Sequence, residues 1–492
     1  MNETDSLKNK TVSALFYSFG GFIANSGIQF ILGIILARLL LPEDYGILGM
    51  IMVFIAMSQI FIDSGMTTAL IREKEISKED YSTVFYYNLM MAIVMYALLF
   101  ISANSISIFF REPILVMIIR VIGLNLIIIS FGLIQRTIMV RKLDFKTQTK
   151  IEVIASVLSG ALAIYLAYHG FGVWSLVIKL LSAQIIISFL FIAHNKWIPL
   201  LTFNLNSFKR LFGFGWKMLV TGLLATLYQN VYNVIIGRVY SATQLGYYTK
   251  SIQFRNLAAN SITSSVRKVS YPVLSNLQDD SNNFNAGFKK IIKNSSFLTF
   301  PIMIGLAAVA ALLVQVLFGD NWVPMVPYFQ ILCLSGMTLP HRALNLTILQ
   351  VKGRSDLFLG LDILKIIIGL IFIGVVIVSN LGVYGLLWTN FILAQIAFFV
   401  NSYFSKKFIS YSTKDQIKDM MPTLFISIIM GVVVYFSAFI LPLNNILKLA
   451  AQILIGIIIY VSISKLSKIE ELDTVYQLTK IVFQKLRKRK VA

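Results

Sequence analysis

A few polar side chains stand inside long apolar runs, and their spacing shows what chemistry they could do. Gln59, Asp63 and Thr67 recur every four residues within QIFIDSGMTTALI, which places them on one face of a helix. A water-filled cavity, a cation site and a helix–helix hydrogen-bond clamp are all open readings of that face, with Asp63 as the cation ligand in the second. A richer set follows in LGYYTKSIQFRNLAANSITSSVRKVSYPVL, residues 245–274. There Thr249, Gln253, Asn256, Asn260, Thr263, Ser264 and Arg267 fall within a helical stripe about 100° wide. Lys250 borders this stripe, and Arg255 points to another face. Amides and hydroxyls in such a row cannot face lipid, because they would lack partners there, so the stripe is expected to line a wet space. Arg120, Lys179, Arg342 and the pair Asp362 and Lys365 are further ionisable residues inside apolar runs. Asp362 and Lys365 are three apart, a spacing that suits a self-neutralising pair. Arg38 and Arg238 close two matching apolar runs and can snorkel to an interface.

Charge at membrane depth is costly, so these residues are expected to face a cavity or a partner. Their balance is mostly positive, with Asp63 and Asp362 the acidic exceptions. A cation-lined wet cavity suits a large, amphipathic, anionic substrate, because Arg forks match phosphate oxygens and Lys supplies a point charge. Arg38, Arg120, Lys250, Gln253, Arg255, Asn256, Asn260 and Arg342 are therefore the candidate substrate-binding residues. Nothing resembles a catalytic constellation. His169, His194 and His341 are scattered, Cys333 is the single cysteine, and no metal-ligand spacing or phosphate-binding Walker loop occurs. Neither an enzyme nor a metal centre is expected, and no cofactor.

The elements that must hold these residues are membrane-spanning helices. The chain has 492 residues, 57% hydrophobic and 13% charged, with 37 Phe, 21 Tyr and 17 Met, and a mean hydropathy of +0.78. Soluble proteins carry roughly a quarter charged residues, so a soluble enzyme and a disordered chain are both excluded. Apolar blocks predict fourteen spans near 11–37, 46–71, 84–110, 113–135, 151–169, 172–193, 212–238, 245–274, 291–318, 325–350, 357–379, 381–404, 421–442 and 445–464. The blocks are too continuous for a barrel. Placing both termini on one side gathers most of the 43 basic residues there and leaves Arg38, Arg111, Arg238 and Lys448 on the other. By the positive-inside rule both termini are expected in the cytoplasm. The net charge of +21 is thus a matter of topology, not of nucleic-acid binding. The N-terminus reads as a retained first helix, without a signal-peptide cleavage site. The basic tail, residues 467–492, is expected at the cytoplasmic lipid surface.

Shifting the chain by 200 residues lays Gln29 on Gln229, Arg38 on Arg238 and Gly46 on Gly246. The segments IILARLLLPEDYG and VIIGRVYSATQLG align without a gap. GVWSLVIKLLSAQI at 172–185 likewise resembles GVYGLLWTNFILAQI at 382–396. Six spans separate the copies, so the repeats are parallel. Transporters built this way commonly bind substrate between halves and rock to alternate access. The expected organisation is an N-lobe at 1–205, a C-lobe at 206–410, two appended spans at 411–466 and the tail.

ILARLLLPEDYGILGMIMVF and DSGMTTALIREKEISKEDYSTVFYYN, with QRTIMVRKLDFKTQTKIEVIASVLSG and GFGVWSLV further on, resemble the polysaccharide transporter branch of the MOP flippase superfamily. The Wzx/WzxC-type exporters of bacterial surface polysaccharides are the nearest in character. The resemblance implies an all-α, polytopic protein of the bacterial cytoplasmic membrane, with two six-helix lobes in a V around a central cavity. It implies flipping of an undecaprenyl-diphosphate-linked oligosaccharide for lipopolysaccharide, exopolysaccharide or capsule synthesis. Membrane lipids, and polymerase or assembly proteins, are the partners it suggests. Members differ in proton or sodium coupling, for which Asp63 is the candidate. A cation-coupled drug antiporter of the same superfamily would need an acidic, aromatic cavity instead. A non-transporting assembly scaffold is the third reading.

Overall fold

In the computed structural model, residues 21, 25–277, 280–474, 476–477 and 480 are described, and among them there are helices and no strands. In chain order the helices are α1 (Asn25–Leu39), α2 (Pro42–Asp63), α3 (Met66–Arg72), α4 (Lys78–Phe110), α5 (Leu115–Arg141), α6 (Phe145–Tyr168), α7 (Val173–Asn195) and α8 (Leu205–Val239). They continue as α9 (Ala242–Asn276), α10 (Ser281–Ala308), α11 (Ala310–Phe318), α12 (Val326–Gly336), α13 (Leu339–Val351), α14 (Ser355–Val378), α15 (Gly382–Ser405), α16 (Thr413–Ile440) and α17 (Asn445–Leu466). A short 3₁₀ turn, Asp320–Met325, joins α11 to α12. Among the described residues, twelve helical segments are long and apolar enough to cross a bilayer. Two expected spans fall outside that set. The first is described only from Asn25 onward, and α9 is long enough but too polar. Most of the basic tail lies outside the described residues.

The chain divides into two compact units, residues 1–249 and 250–492. In unit 1, Met66, Leu70, Val84, Phe85, Ile134, Ile138 and Leu211 form one apolar core. Leu36, Leu40, Ala163, Ala167 and Leu176 form another. In unit 2, Phe284, Phe288, Ile292, Phe300, Leu344, Ile348 and Phe398 do the same work. The two C-terminal helices pack within unit 2, where Ile426 and Met430 of α16 and Leu449 and Tyr460 of α17 share a core with Phe297.

The span expected over 46–71 is interrupted. Ser64 and Gly65 both adopt left-handed backbone, at φ 45 and 70, so α2 stops at Asp63 and α3 starts afresh at Met66. A glycine suits this conformation because no Cβ opposes it. The break is tied down on all sides. Ser64 Oγ lies 2.7 Å from Tyr87 Oη, and the Asp63 carboxylate accepts from the Thr67 amide at 3.2 Å. Arg141 donates to the carbonyls of Leu70 and Glu73 at the end of α3. Thr67 therefore does not continue the face of Gln59 and Asp63 as an unbroken helix would have it.

The starts of α2 and α9 interlock within unit 1. A Cβ on Gly46 would lie 1.7 Å from the carbonyl oxygen of Ala242, and one on Gly246 would lie 1.8 Å from that of Pro42. The two contacts are the same contact under the 200-residue shift, 46 on 242 and 246 on 42. Close backbone approach through small residues is how membrane helices gain packing energy without a hydrophobic drive. A contact between equivalent positions of two copies, made in both directions, supports the repeat seen in the sequence.

Candidate functional site

α9 owes its shape to a sequence that resists lipid. Several of its hydroxyls are satisfied within the helix: Ser261, Thr263, Ser264, Ser265 and Ser270 each donate to a carbonyl three or four residues earlier, whereas the buried Ser251 hydroxyl has no such bond. Such bonds let a polar helix stand without external partners for every hydroxyl. Pro272 removes one amide donor near its end. Gln253, Asn260, Ser264 and Arg267 are exposed, Thr249 and Asn256 are half-buried and Thr263 is buried, so most of the polar stripe lies on the open side of α9, beside the exposed Leu257 and Tyr271.

Lys250 and Arg255 turn the other way. Lys250 is 2% exposed, with Nζ 5.4 Å from the centre of the Phe318 ring. Arg255 is buried against α12, where its guanidinium donates to Ser335 Oγ at 3.1 Å. It also donates twice to Asn256 Oδ1, at 3.1 and 2.7 Å. The stem of Arg255 packs where a Cβ on Gly336 would sit, 3.1 Å away. Asn256 thus has one edge on the open face and its oxygen on the buried arginine. α9 offers amides outward, backed by positive charge.

The remaining candidates are dispersed. In unit 1, Arg38 is exposed at the end of α1, and Arg120 is exposed with its guanidinium 4.5 Å from the Phe100 ring centre. Asp63 caps α3 as described. Lys179 donates to Gln29 Oε1 at 3.3 Å, Gln29 to Ser156 Oγ at 3.0 Å, and Ser156 to Asn25 Oδ1 at 2.9 Å. That chain joins α1, α6 and α7 through polar groups. In unit 2, Arg342 is half-buried on α13, and its carbonyl accepts from Asn401 at 3.2 Å. Asp362 and Lys365 meet at 2.6 Å as the neutralising pair their spacing suggested. Of the eight candidate binding residues, the structure brings Lys250, Gln253, Arg255, Asn256 and Asn260 together on α9, while Arg38, Arg120 and Arg342 lie on other helices.

Two polar features escaped the sequence reading. His341 is fully buried, 2.8 Å from Ser296 Oγ. One turn on, Asn345 and Gln416 exchange amide hydrogen bonds at 3.0 and 3.1 Å, and Ser405 donates to Asn345 at 2.6 Å. This network ties α13, α15 and α16 together. The helix break at Ser64–Gly65 was signalled by a Ser-Gly step in an apolar run.

The fold is that of solved transporters. The structure matches lipid II flippase MurJ in its inward closed conformation with a TM-score of 0.75 at 18% identity, covering 92% of this chain and 98% of that one. It matches an inward-facing multidrug resistance MATE transporter of the MOP superfamily with a TM-score of 0.60 at 17% identity, covering 78% and 95%. Curated relatives include teichuronic acid biosynthesis protein TuaB of Bacillus subtilis, 25% identical with 77% of this chain and 78% of TuaB covered. Lipopolysaccharide biosynthesis protein WzxC of Escherichia coli is 25% identical, with coverage of 87% and 89%. Succinoglycan biosynthesis transport protein ExoT of Rhizobium meliloti is 26% identical over 63% of each chain. The profile of the polysaccharide biosynthesis protein family matches residues 35–327, more than half of the sequence, and the chain belongs to that family.

Proposed function

We propose that this protein carries a lipid-linked oligosaccharide, held through a polyprenyl diphosphate, across the bacterial cytoplasmic membrane. It would do so for the assembly of a surface polysaccharide, as a transporter and not an enzyme. The observation that carries this reading is α9, a helix with an open row of Gln253, Asn256, Asn260 and Ser264 in a chain otherwise built to meet lipid. Amides and hydroxyls in a row hydrogen-bond a glycan, and Lys250 and Arg255 behind them set a positive field for a diphosphate. Family membership and relatives named for teichuronic acid, lipopolysaccharide and succinoglycan synthesis support the same class of cargo. Both termini lie in the cytoplasm in this reading, α1 and α9 complete fourteen spans, and movement follows alternating access between repeats.

Proton or sodium coupling through Asp63 belongs to the same proposal. Asp63→Asn keeps an oxygen for the Thr67 amide and removes the charge, so it should abolish dependence on an ion gradient while leaving the fold intact. Unchanged gradient dependence would exclude Asp63 from coupling.

The test of the cargo is flipping in proteoliposomes of an undecaprenyl-diphosphate-linked oligosaccharide against an uncharged polyprenyl analogue. Selective transport of the diphosphate is the expected result. Equal transport of both would remove the charges from recognition. Transport of neither by folded protein would favour a drug antiporter or a scaffold.

A further inference from the structure

At one end of unit 2, two loops and the start of α10 enclose a cavity of about 620 Å³ that the transport reading does not use. Phe284 and Asn285 come from α10, Lys352 from the turn after α13, and Lys406 to Ser410 with Ser412 from the loop between α15 and α16. Three lysines line it: Lys352, Lys406 and Lys407. Two of their amines rest against aromatic rings, Lys352 Nζ at 5.2 Å from the Phe284 centre and Lys407 Nζ at 5.0 Å from that of Phe404. Such contacts hold an ammonium in place without neutralising it. The lining sets the three lysines against one carboxylate, that of Asp415. Asp415, which also lines the cavity, accepts from the amide and hydroxyl of Ser412. Asp356 pairs with Arg354 at 2.6 Å, and Asp419 with Lys289 at 3.2 Å.

The chains leaving this cavity carry lipid-facing stripes. On α14, which begins three residues after Lys352, the exposed Leu359, Ile363, Ile367 and Leu370 recur every three or four residues. On α15, which ends immediately before Lys406, the exposed Trp388, Ile392, Phe399 and Tyr403 follow at steps of four, seven and four residues. The two helices pack side by side, so both apolar stripes end at the level of the lysines. An aromatic residue beside lysines, as Tyr403 is, marks the headgroup layer of a bilayer. Basic pockets at that level suit anionic headgroups.

We propose that this cavity holds the phosphate of an anionic phospholipid, with its acyl chains along the stripes of α14 and α15. The ligand is a resident lipid of the membrane, distinct from the cargo, and Lys352, Lys406 and Lys407 supply the charge.

The experiment is lipid retention by the full chain, measured by native mass spectrometry after purification from mixed phosphatidylglycerol and phosphatidylcholine bilayers. Phosphatidylglycerol should be retained preferentially. Lys406→Gln with Lys407→Gln should lower that preference roughly tenfold or more, two basic contacts being lost. Lys448→Gln, in the first turn of α17, should leave it unchanged. Equal retention of both lipids, or an equal loss in the Lys448 variant, would overturn the proposal. Displacement by soluble glycerol 1-phosphate at concentrations matching the lipid would also overturn it, in favour of a soluble phosphate ligand. If the double variant does not fold, wild-type protein decides: the preference must fall as salt rises, and a salt-independent preference would refute a lysine site.

Discussion

α2 and α9 occupy the same place in the two repeats, and they bury the same positions with opposite chemistry. Met50, Ile51 and Ile55 of α2 are nearly inaccessible, and so are their counterparts Lys250, Ser251 and Arg255 of α9. At the more open positions of α9, Gln253, Asn256 and Asn260, α2 carries Val53, Ala56 and Ile60, of which Val53 is buried. What the copies share is backbone: the reciprocal glycine contacts at 46 and 246, and a helix start at the same register. What differs is side-chain polarity and the break. α2 stops at Ser64–Gly65, whereas α9 runs on through Ser264 and Ser265. The packing frame is common to both copies, one carrying apolar side chains on it and the other polar ones. Buried charge is costly at membrane depth, so its presence in α9 at positions that α2 fills with Met and Ile points to use and not to folding.

The comparison can be broken at its shared part first. Gly46→Ala and Gly246→Ala each drive a methyl into a partner carbonyl, and overpacking of this kind costs about 1–3 kcal/mol or more. Both should sharply lower folded yield and melting temperature, and by similar amounts. Gly374→Ala on α14, where nothing lies within 4 Å, should be silent. Unequal effects at 46 and 246 would mean that the interlock is not reciprocal.

Next comes the break. Gly65→Ser installs the α9 residue in α2, at a left-handed position crowded by Met218 and the Gly215 carbonyl. Destabilisation of about 1–3 kcal/mol is expected from the backbone strain, read from thermal unfolding in detergent. A stable Gly65→Ser protein would show that α2 can run straight, as α9 does.

The smallest effect on stability is expected from Lys250→Met, which gives α9 the α2 residue. Replacing a buried charge by an apolar side chain of similar length is often neutral or stabilising. The melting temperature should hold or rise while transport falls about tenfold or more, as expected when a positioned charge is lost. A fall in stability with normal transport would make Lys250 structural.

Much of this was legible in the sequence, because a membrane exposes composition directly. The blocks from 84 to 464 foretold helices with ends displaced by a few residues to nearly three turns, although the blocks at 291–318 and 325–350 each break into two helices, α10 with α11 and α12 with α13, and the shift of 200 pointed to the interlock. The stripe of α9 followed from helical period alone, and Gln253 and Asn260 are exposed as that period requires. The direction of Lys250 and Arg255 did not follow. A long flexible side chain at the border of a stripe can turn either way, and Phe318 and Ser335, which receive them, are more than sixty residues distant in sequence. The Asn345–Gln416 pair was hidden for the same reason, since Asn345 alone reads as an isolated amide in an apolar run and Gln416 as one more polar residue of a charged segment. Asp63 was placed on a helix face that the Ser64–Gly65 break cuts short.

The most direct test of the central claim, that the open face of α9 meets the cargo, is the double change Gln253→Val with Asn260→Ile. It gives α9 the first of the α2 residues at those positions and the second as well, without touching the buried charges. Flipping of a diphosphate-linked oligosaccharide in proteoliposomes should fall at least about tenfold, the scale of one or two lost hydrogen bonds, with unfolding unchanged. Full flipping activity in the double variant would contradict the account, since the polar stripe would then be dispensable for transport.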